Sequence, residues 1–306
     1  MDHTAAPELF AIGETMTLLT PRDATRLADA EEVRVTVGGA ESNVAAHVAS
    51  LGHRTAWVSA LGDDVLGHRV HRTITCQGVD GRWVVFDPEA PTGVYFKDPG
   101  HGVHYYRAGS AASRMTPESL AAVPLEQAAI VHVSGITPAL SPQCAAMIDA
   151  VIDRVAATDA TALSFDVNHR AALWPASVAA PVLRDLANRA DIVFVGLDEA
   201  QTLWGCSTPD EVRQLIPAPA HLIVKDGDVG ATEFSDAGAT FVPAIPTHVV
   251  EAVGAGDAFA AGWLAARLAG GEAEERLQGG HRRAHLVLQS TEDVVGVAEA
   301  VADAAD

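Results

Sequence analysis

Gly254, Ala255 and Gly256 lead directly into Asp257 and then into an apolar run with helical spacing. Glycines let backbone come close to a ligand, and free N–H groups at a helix start carry partial positive charge. Such a turn suits a phosphate or a developing oxyanion. A carboxylate at its end has two readings. Asp257 is either the N-cap of a helix beginning at Ala258, or a general base that takes a proton from a hydroxyl while the adjacent amides hold a transferring phosphoryl group. The chain has no GxxxxGK[ST] loop and no GxGxxG following a strand, so neither a P-loop nor a dinucleotide fingerprint is present.

Five further groups follow strand-like runs. Gly38 and Gly39 precede a helical stretch; they are a plain strand–turn–helix join or an approach for a polyol. Tyr105 and Arg107 share a face of an alternating segment, either an amphipathic edge strand or a clamp for a sugar acid, because arginine pairs bidentately with carboxylate. Asn168 and Arg170 lie just past a strand end, and Glu199 follows another. Lys225 opens a glycine-containing turn with Gly227 and Gly230, which is hairpin punctuation or a nucleotide-phosphate loop. Lys225 and Lys97 are the only lysines.

These groups need a scaffold that brings strand ends together. Short β-branched runs at residues 9–13, 55–62, 129–135, 162–168, 191–196 and 221–227 end in glycine or a polar residue. Helical stretches such as 41–52, 142–155 and 178–188 lie between them. Alternating strands and helices predict a parallel sheet wrapped by helices, with ligands at the strands' carboxyl ends. Residues 20–37 and 92–107 break the rhythm and read as strands outside that sheet.

The 306 residues, 48% of them hydrophobic, suit one large α/β domain or two smaller ones. A net charge of −20 with only 20 Lys+Arg argues against nucleic acid and against an anionic membrane as partners. Cys76, Cys144 and Cys206 form no CxxC pair, so a metal or disulfide framework is not indicated. The N-terminus lacks a signal-peptide plan and no apolar run is long enough to span a bilayer, so a cytoplasmic enzyme is expected.

Taken together, the segments resemble the ribokinase-like (PfkB-type) carbohydrate kinases, collinearly from Gly13 to about Gly296. "GGAESNVAAHVASLGHRTAWVSALGDDVLG" looks like that family's N-terminal signature and "VGAGDAFAAGWL" like its more specific C-terminal one. Within the family, "TGVYF", "HYYRAGSAAS", "HVSGITPALS" and "DVNHRAALW" look most like the 2-keto-3-deoxygluconate kinases. The resemblance implies one three-layer α/β/α domain over residues 1–306, with a small β-sheet lid from about 20–37 and 92–107. It implies phosphotransfer from ATP with Mg²⁺ to a sugar acid, and a homodimer formed through the lids. The sugar would meet Gly38, Gly39, Tyr95, Tyr105, Arg107, Arg170 and Asp293. Asp257 matches the base, and Gly254, Ala255 and Gly256 the anion hole. Asn168, Gly196, Lys225, Gly227, Gly230 and His281 fall at nucleotide-side positions, with Glu199 acting on the metal through water.

Four departures stand out. The family usually has Asp-Thr or Asp-Pro where this chain has Glu251-Ala252. That Asp is tied in many members to a monovalent-cation site, so the departure counts against K⁺ as a cofactor. Gly196 with Glu199 reduces an N-x-x-E pattern, His281 stands where Asn is common, and "TEDVVG" replaces a Gly-Asp pair while keeping Asp293.

Overall fold

The computed structural model describes residues 6–23, 25–290 and 293–294. Among these, thirteen strands form two sheets. In chain order they are β1 (Leu9–Ile12), β2 (Met16–Pro21), β3 (Val33–Gly38), β4 (Thr55–Gly62), β5 (Asp80–Asp87), β6 (Val94–Asp98) and β7 (Gly102–Tyr106). They continue as β8 (Ile130–Ser134), β9 (Ala162–Asp166), β10 (Ile192–Gly196), β11 (His221–Asp226), β12 (Gly230–Ser235) and β13 (Gly238–Pro243).

The large sheet runs β13-β12-β11-β10-β9-β8-β1-β4-β5 and is parallel from β11 through β5. Strands β1, β8 and β10 are buried along their whole length, as expected of parallel strands covered by helices on both faces. One face packs under helices such as Pro142–Ala156 and Ala176–Asn188. The other packs under Ala40–Ser50 and Ala255–Leu268, where Trp263 meets Phe194 edge-on at 5.5 Å. From β1 the chain builds outward to β4 and β5, then returns to β1's other side and builds β8 to β13. The order therefore reverses at β1/β8, and the carboxyl ends there open a crevice.

The second sheet, ordered β3-β2-β6-β7, is inserted where the chain leaves β1 and again where it leaves β5. It begins at Met16, four residues before the sequence pattern suggests, and residues 22–23 and 25–32 are not strand, with a short 3₁₀ turn at Leu27–Asp29. The turn is tied to the β6–β7 hairpin by Asp98, which accepts from the Leu27 amide at 2.8 Å. Met16, Leu18 and Tyr95 form a small apolar cluster with Val103 and Tyr105 on one face. The β11–β12 connection is a hairpin, so the turn after Lys225 is sheet punctuation as well as a strand end. Of the segment "TEDVVG", residues 291, 292, 295 and 296 lie outside the described residues.

Candidate active site

The helix that carries Asp257 starts at Ala255, three residues earlier than the sequence suggests, with Gly254 as its N-cap. Gly254 has φ +84°, a left-handed conformation that favours glycine, and a side chain there would also press on Asp293 at 3.3 Å. Asp257 is thus inside the first turn, and no side chain caps this helix among the described residues. The N-cap reading of Asp257 falls away. The Ala255 amide donates to the Ala252 carbonyl at 3.3 Å, while those of Gly256 and Asp257 lack intrahelical partners by helix geometry and remain available to an anion.

Asp257's carboxylate faces inward instead. Asn43 Nδ2 donates to its Oδ2 at 2.9 Å, and Asn168 Nδ2 reaches its Oδ1 at 3.5 Å. Burial pushes its pKa up to about 7. The Asn43 hydrogen bond, Arg170 and Lys225 pull it down, and the Asp166 carboxylate pushes it further up. A carboxylate poised near neutrality is well matched to a general base.

Strand ends surround it in register. Asp166 ends β9, paired to Ser134 of β8 and Phe194 of β10, while Gly196 of β10 pairs with Lys225 of β11. Lys225 Nζ lies 3.1 Å from Asp166 Oδ2. Burial alone would lower the Lys225 pKa, but the Asp166, Glu199 and Asp257 carboxylates outweigh it and raise it, so the ammonium keeps its charge. Asn168 adopts φ +39°, the one left-handed non-glycine among the described residues. That turn lets its amide donate to Asp166 Oδ1 at 3.2 Å and aims its side chain at Asp257. Asn168, expected on the nucleotide side, is therefore seated at the Asp257 carboxylate.

Glu199 accepts from the Gly196 amide at 2.9 Å and from the His169 amide at 2.8 Å. Burial first, and Asp166 second, push its pKa up. Arg170 is exposed, and its guanidinium donates to the His169 carbonyl at 3.2 Å. Its charge acts on Asp257, which places it at the mouth of the same cavity.

The second sheet supplies the opposite wall. Tyr95 and Tyr105 stack at 5.6 Å. The Tyr95 hydroxyl lies over Gly38, where any side chain would collide with it at 2.0 Å. This internal contact by itself requires glycine at 38. Arg107 is not a free clamp: its guanidinium grips Glu14, with Nε donating to Oε2 at 2.6 Å, and Ser110 donates to the other oxygen at 2.5 Å. Glu41, also buried, accepts from Ser134 at 2.7 Å and Thr137 at 2.9 Å through one oxygen.

These walls enclose a cavity of about 1140 Å³. Every substrate-side and nucleotide-side residue singled out in the sequence lines it, from Gly38, Tyr95 and Asp293 to Gly227, Gly230 and His281. His281 hydrogen-bonds the Val242 carbonyl at 3.1 Å and packs edge-on against Phe259 at 5.1 Å. Sequence reasoning missed Asn43, Glu14, Glu41 and Asp166. Asp166 had a signal, since it is the last residue of a strand in "SFDVN". Asn43 had a weaker one, on the helix opened by the glycine pair; Glu14 and Glu41 had none.

A mostly parallel nine-stranded sheet, with a second sheet facing the cavity at its carboxyl ends, defines the ribokinase-like class of α/β proteins. The chain belongs to the pfkB family of carbohydrate kinases, whose model matches residues 6–299. It is 32% identical over 301 residues to a 2-dehydro-3-deoxygluconokinase of Bacillus subtilis, covering 95% of this chain and 92% of that one. It is likewise 32% identical over 295 residues to a 2-dehydro-3-deoxygalactonokinase of Haloferax volcanii, covering 91% and 90%. The crystal structure of a PfkB protein from Polaromonas sp. JS666 superposes with a TM-score of 0.89 at 32% identity, covering 97% of this chain and all of that one. The protein is a sugar kinase. Among the described residues, no helix is long and apolar enough to cross a membrane.

Proposed function

We propose that this kinase transfers the γ-phosphoryl group of ATP to the terminal 6-hydroxyl of 2-keto-3-deoxygluconate, with Asp257 as general base. The observation that carries the reading is the buried Asp257 carboxylate, pushed up to about 7 beside an uncapped helix start. Relatives at 32% identity named for this sugar acid and for its galactonate counterpart support the substrate class.

Asp257 accepts the hydroxyl proton as that oxygen attacks phosphorus. The amides of Gly256 and Asp257 stabilise charge on the transferring group, and Lys225 offers a fixed positive charge nearby. Arg170, at the cavity mouth, and the Arg107 N–H groups not taken by Glu14 orient the sugar's carboxylate. Carbohydrate kinases of this family use ATP and Mg²⁺. Among the described residues no cluster of three or more His, Cys, Asp or Glu side chains forms a direct metal site. The donor set is hard oxygen, with Asp166 and Glu199 already engaged by Lys225 and backbone amides. This fits a divalent cation, which Asp166 and Glu199 would help to hold. When bound, Mg²⁺ neutralises the developing phosphate charge.

One observation favours a second reading, a neutral ketose such as fructose: Glu14 already neutralises Arg107. ADP release over a panel of sugar acids and neutral sugars decides between them. Turnover of 2-keto-3-deoxygluconate or its galactonate epimer, at least about tenfold above fructose in kcat/KM, is expected. Turnover of fructose with none on any acid overturns the first reading.

A further inference from the structure

Both lysines of this lysine-poor chain line the cavity. Lys225 belongs to the strand-end cluster above. Lys97 comes from β6 of the second sheet and is only 9% exposed. Its Nζ lies 2.6 Å from Glu251 Oε1 and 3.4 Å from Asp293 Oδ1. These three residues come from three separate stretches of chain.

Glu251 sits three residues before Gly254, on the irregular segment between β13 and the Asp257 helix. Its backbone and that of Val250 are anchored to the Leu288 carbonyl, at 3.4 and 2.8 Å. Asp293 lies beside Gly254, close enough that a Cβ on that glycine would meet its Cα at 3.3 Å. The Asp293 backbone is itself held. Arg283 Nε donates to His47 Nδ1 at 2.8 Å, so Nδ1 is the acceptor and the proton sits on Nε2, which donates to the Asp293 carbonyl at 3.0 Å. His47 and Asn43 stand one helical turn apart, so one helix face steadies both Asp293 and Asp257.

Lys97 therefore meets two carboxylates close to Gly254, one three residues before it in the chain and one packed against it. Two carboxylates against one ammonium leave no surplus positive charge for a phosphate or a sugar acid, so an anion-binding role does not fit. Position does. A nearly buried ammonium is costly to leave unpaired, and so are its partners. The ion pair links the second sheet to the strap leading into the glycine turn.

We propose that Lys97 is a positioning residue, bracing the second sheet against residues 251–254 and thereby fixing the amide-lined turn that faces Asp257. The proposal rests on the reading of Gly254, Ala255, Gly256 and Asp257 as the phosphoryl-transfer turn. Misplacing that turn by a fraction of an ångström weakens charge stabilisation in the transition state more than ground-state binding.

The test is steady-state kinetics of Lys97→Met, Lys97→Arg, Glu251→Gln and the Lys97→Met/Glu251→Gln double variant, with Asp257→Asn in parallel. Lys97→Met is expected to lower kcat by about tenfold to a hundredfold while KM for sugar and for ATP stays within about threefold. Lys97→Arg keeps the charge and should retain at least about a third of parental kcat. The double variant should be no worse than the poorer single one, because both remove the same contact. Glu251 is the more exposed partner, so Glu251→Gln keeps the test alive should Lys97→Met fail to fold. Parental kcat in Glu251→Gln or Lys97→Met, or additive losses in the double variant, overturn the brace. Normal turnover in Asp257→Asn means instead that the turn has been misread; an inactive Asp257→Asn beside a fully active Lys97→Met removes Lys97 alone.

Discussion

The two ends of the cavity are built from different materials. At the end faced by the second sheet, cations already have protein partners: Arg107 is gripped by Glu14, and Lys97 by Glu251 and Asp293. At the other end the lining is Gly227, Gly230, residues 244–247 and 249, and one face of the helix Ala273–Leu288. That end has exposed apolar side chains, Val249 at 52% and Ile245 at 37%. The contrast teaches how each end recognises its ligand. Buried, fully paired polar groups read a ligand through hydrogen bonds that few alternatives can satisfy. Backbone and apolar surface read shape and tolerate substitution. Asp257 sits where the two meet.

The largest expected effect tests that meeting point. Asp257→Asn should lower kcat by about 10³-fold or more with KM changed only a few-fold, measured by ADP release. The same variant should gain stability. Asp257's folded pKa of about 7 lies above its ordinary 3.8, so the folded state holds a proton that the unfolded state has lost between those values. Stability then falls as pH rises from about 4 to 7, by at most about 4 kcal/mol. Thermal melts should show Asp257→Asn above the parent at pH 8, with the gap closing below pH 4; an unchanged gap would contradict the burial argument.

Arg107→Ala should raise KM for a sugar acid by about tenfold or more, and far more than for a neutral sugar. Glu14→Gln should act in the opposite direction, lowering KM for the acid, because it releases the guanidinium. Equal effects on acid and neutral sugars would mean that the pair only holds the wall together.

Asn43→Ala removes the strongest influence that lowers the Asp257 pKa. The base works deprotonated, so kcat falls as pH drops through its pKa. The variant's acid limb should move to higher pH by about half a unit to one unit, costing about three- to tenfold at pH 6 and little at pH 9. A limb that stays put would detach Asn43 from the base. The smallest effect belongs to the apolar end: His281→Asn should change KM for ATP by no more than about threefold. A loss of tenfold or more would show that this end, too, reads through a specific hydrogen bond.

How much of this was legible follows from what each feature depends on. Parallel strands announce themselves as short apolar runs because both faces are covered, so β1, β8 and β10 are visible in the chain. Strands β5 and β13 are edge strands with mixed burial: β5 carries only the four-residue run Trp83–Phe86 between polar residues, and none of those four side chains is fully buried. Strand β2 begins at Met16 because its register is set by pairing with β3 and β6, which no local pattern encodes. The first turn of the Asp257 helix was hidden because Ala255 and Gly256 read as loop, although Gly254 ends the turn.

The sequence by itself determined the sheet-and-helix plan, the glycine turn before Asp257, and the polar residues at strand ends, because these depend on local spacing and residue type. Only the tertiary structure decided their partners. It turned Asp257 from cap to buried carboxylate by setting Asn43 against it from 214 residues away. It also closed Arg107 onto Glu14 across 93 residues and Lys97 onto Glu251 across 154. Burial and charge pairing at such separations depend on where whole strands and helices come to rest, and one residue's neighbours in sequence carry no record of it.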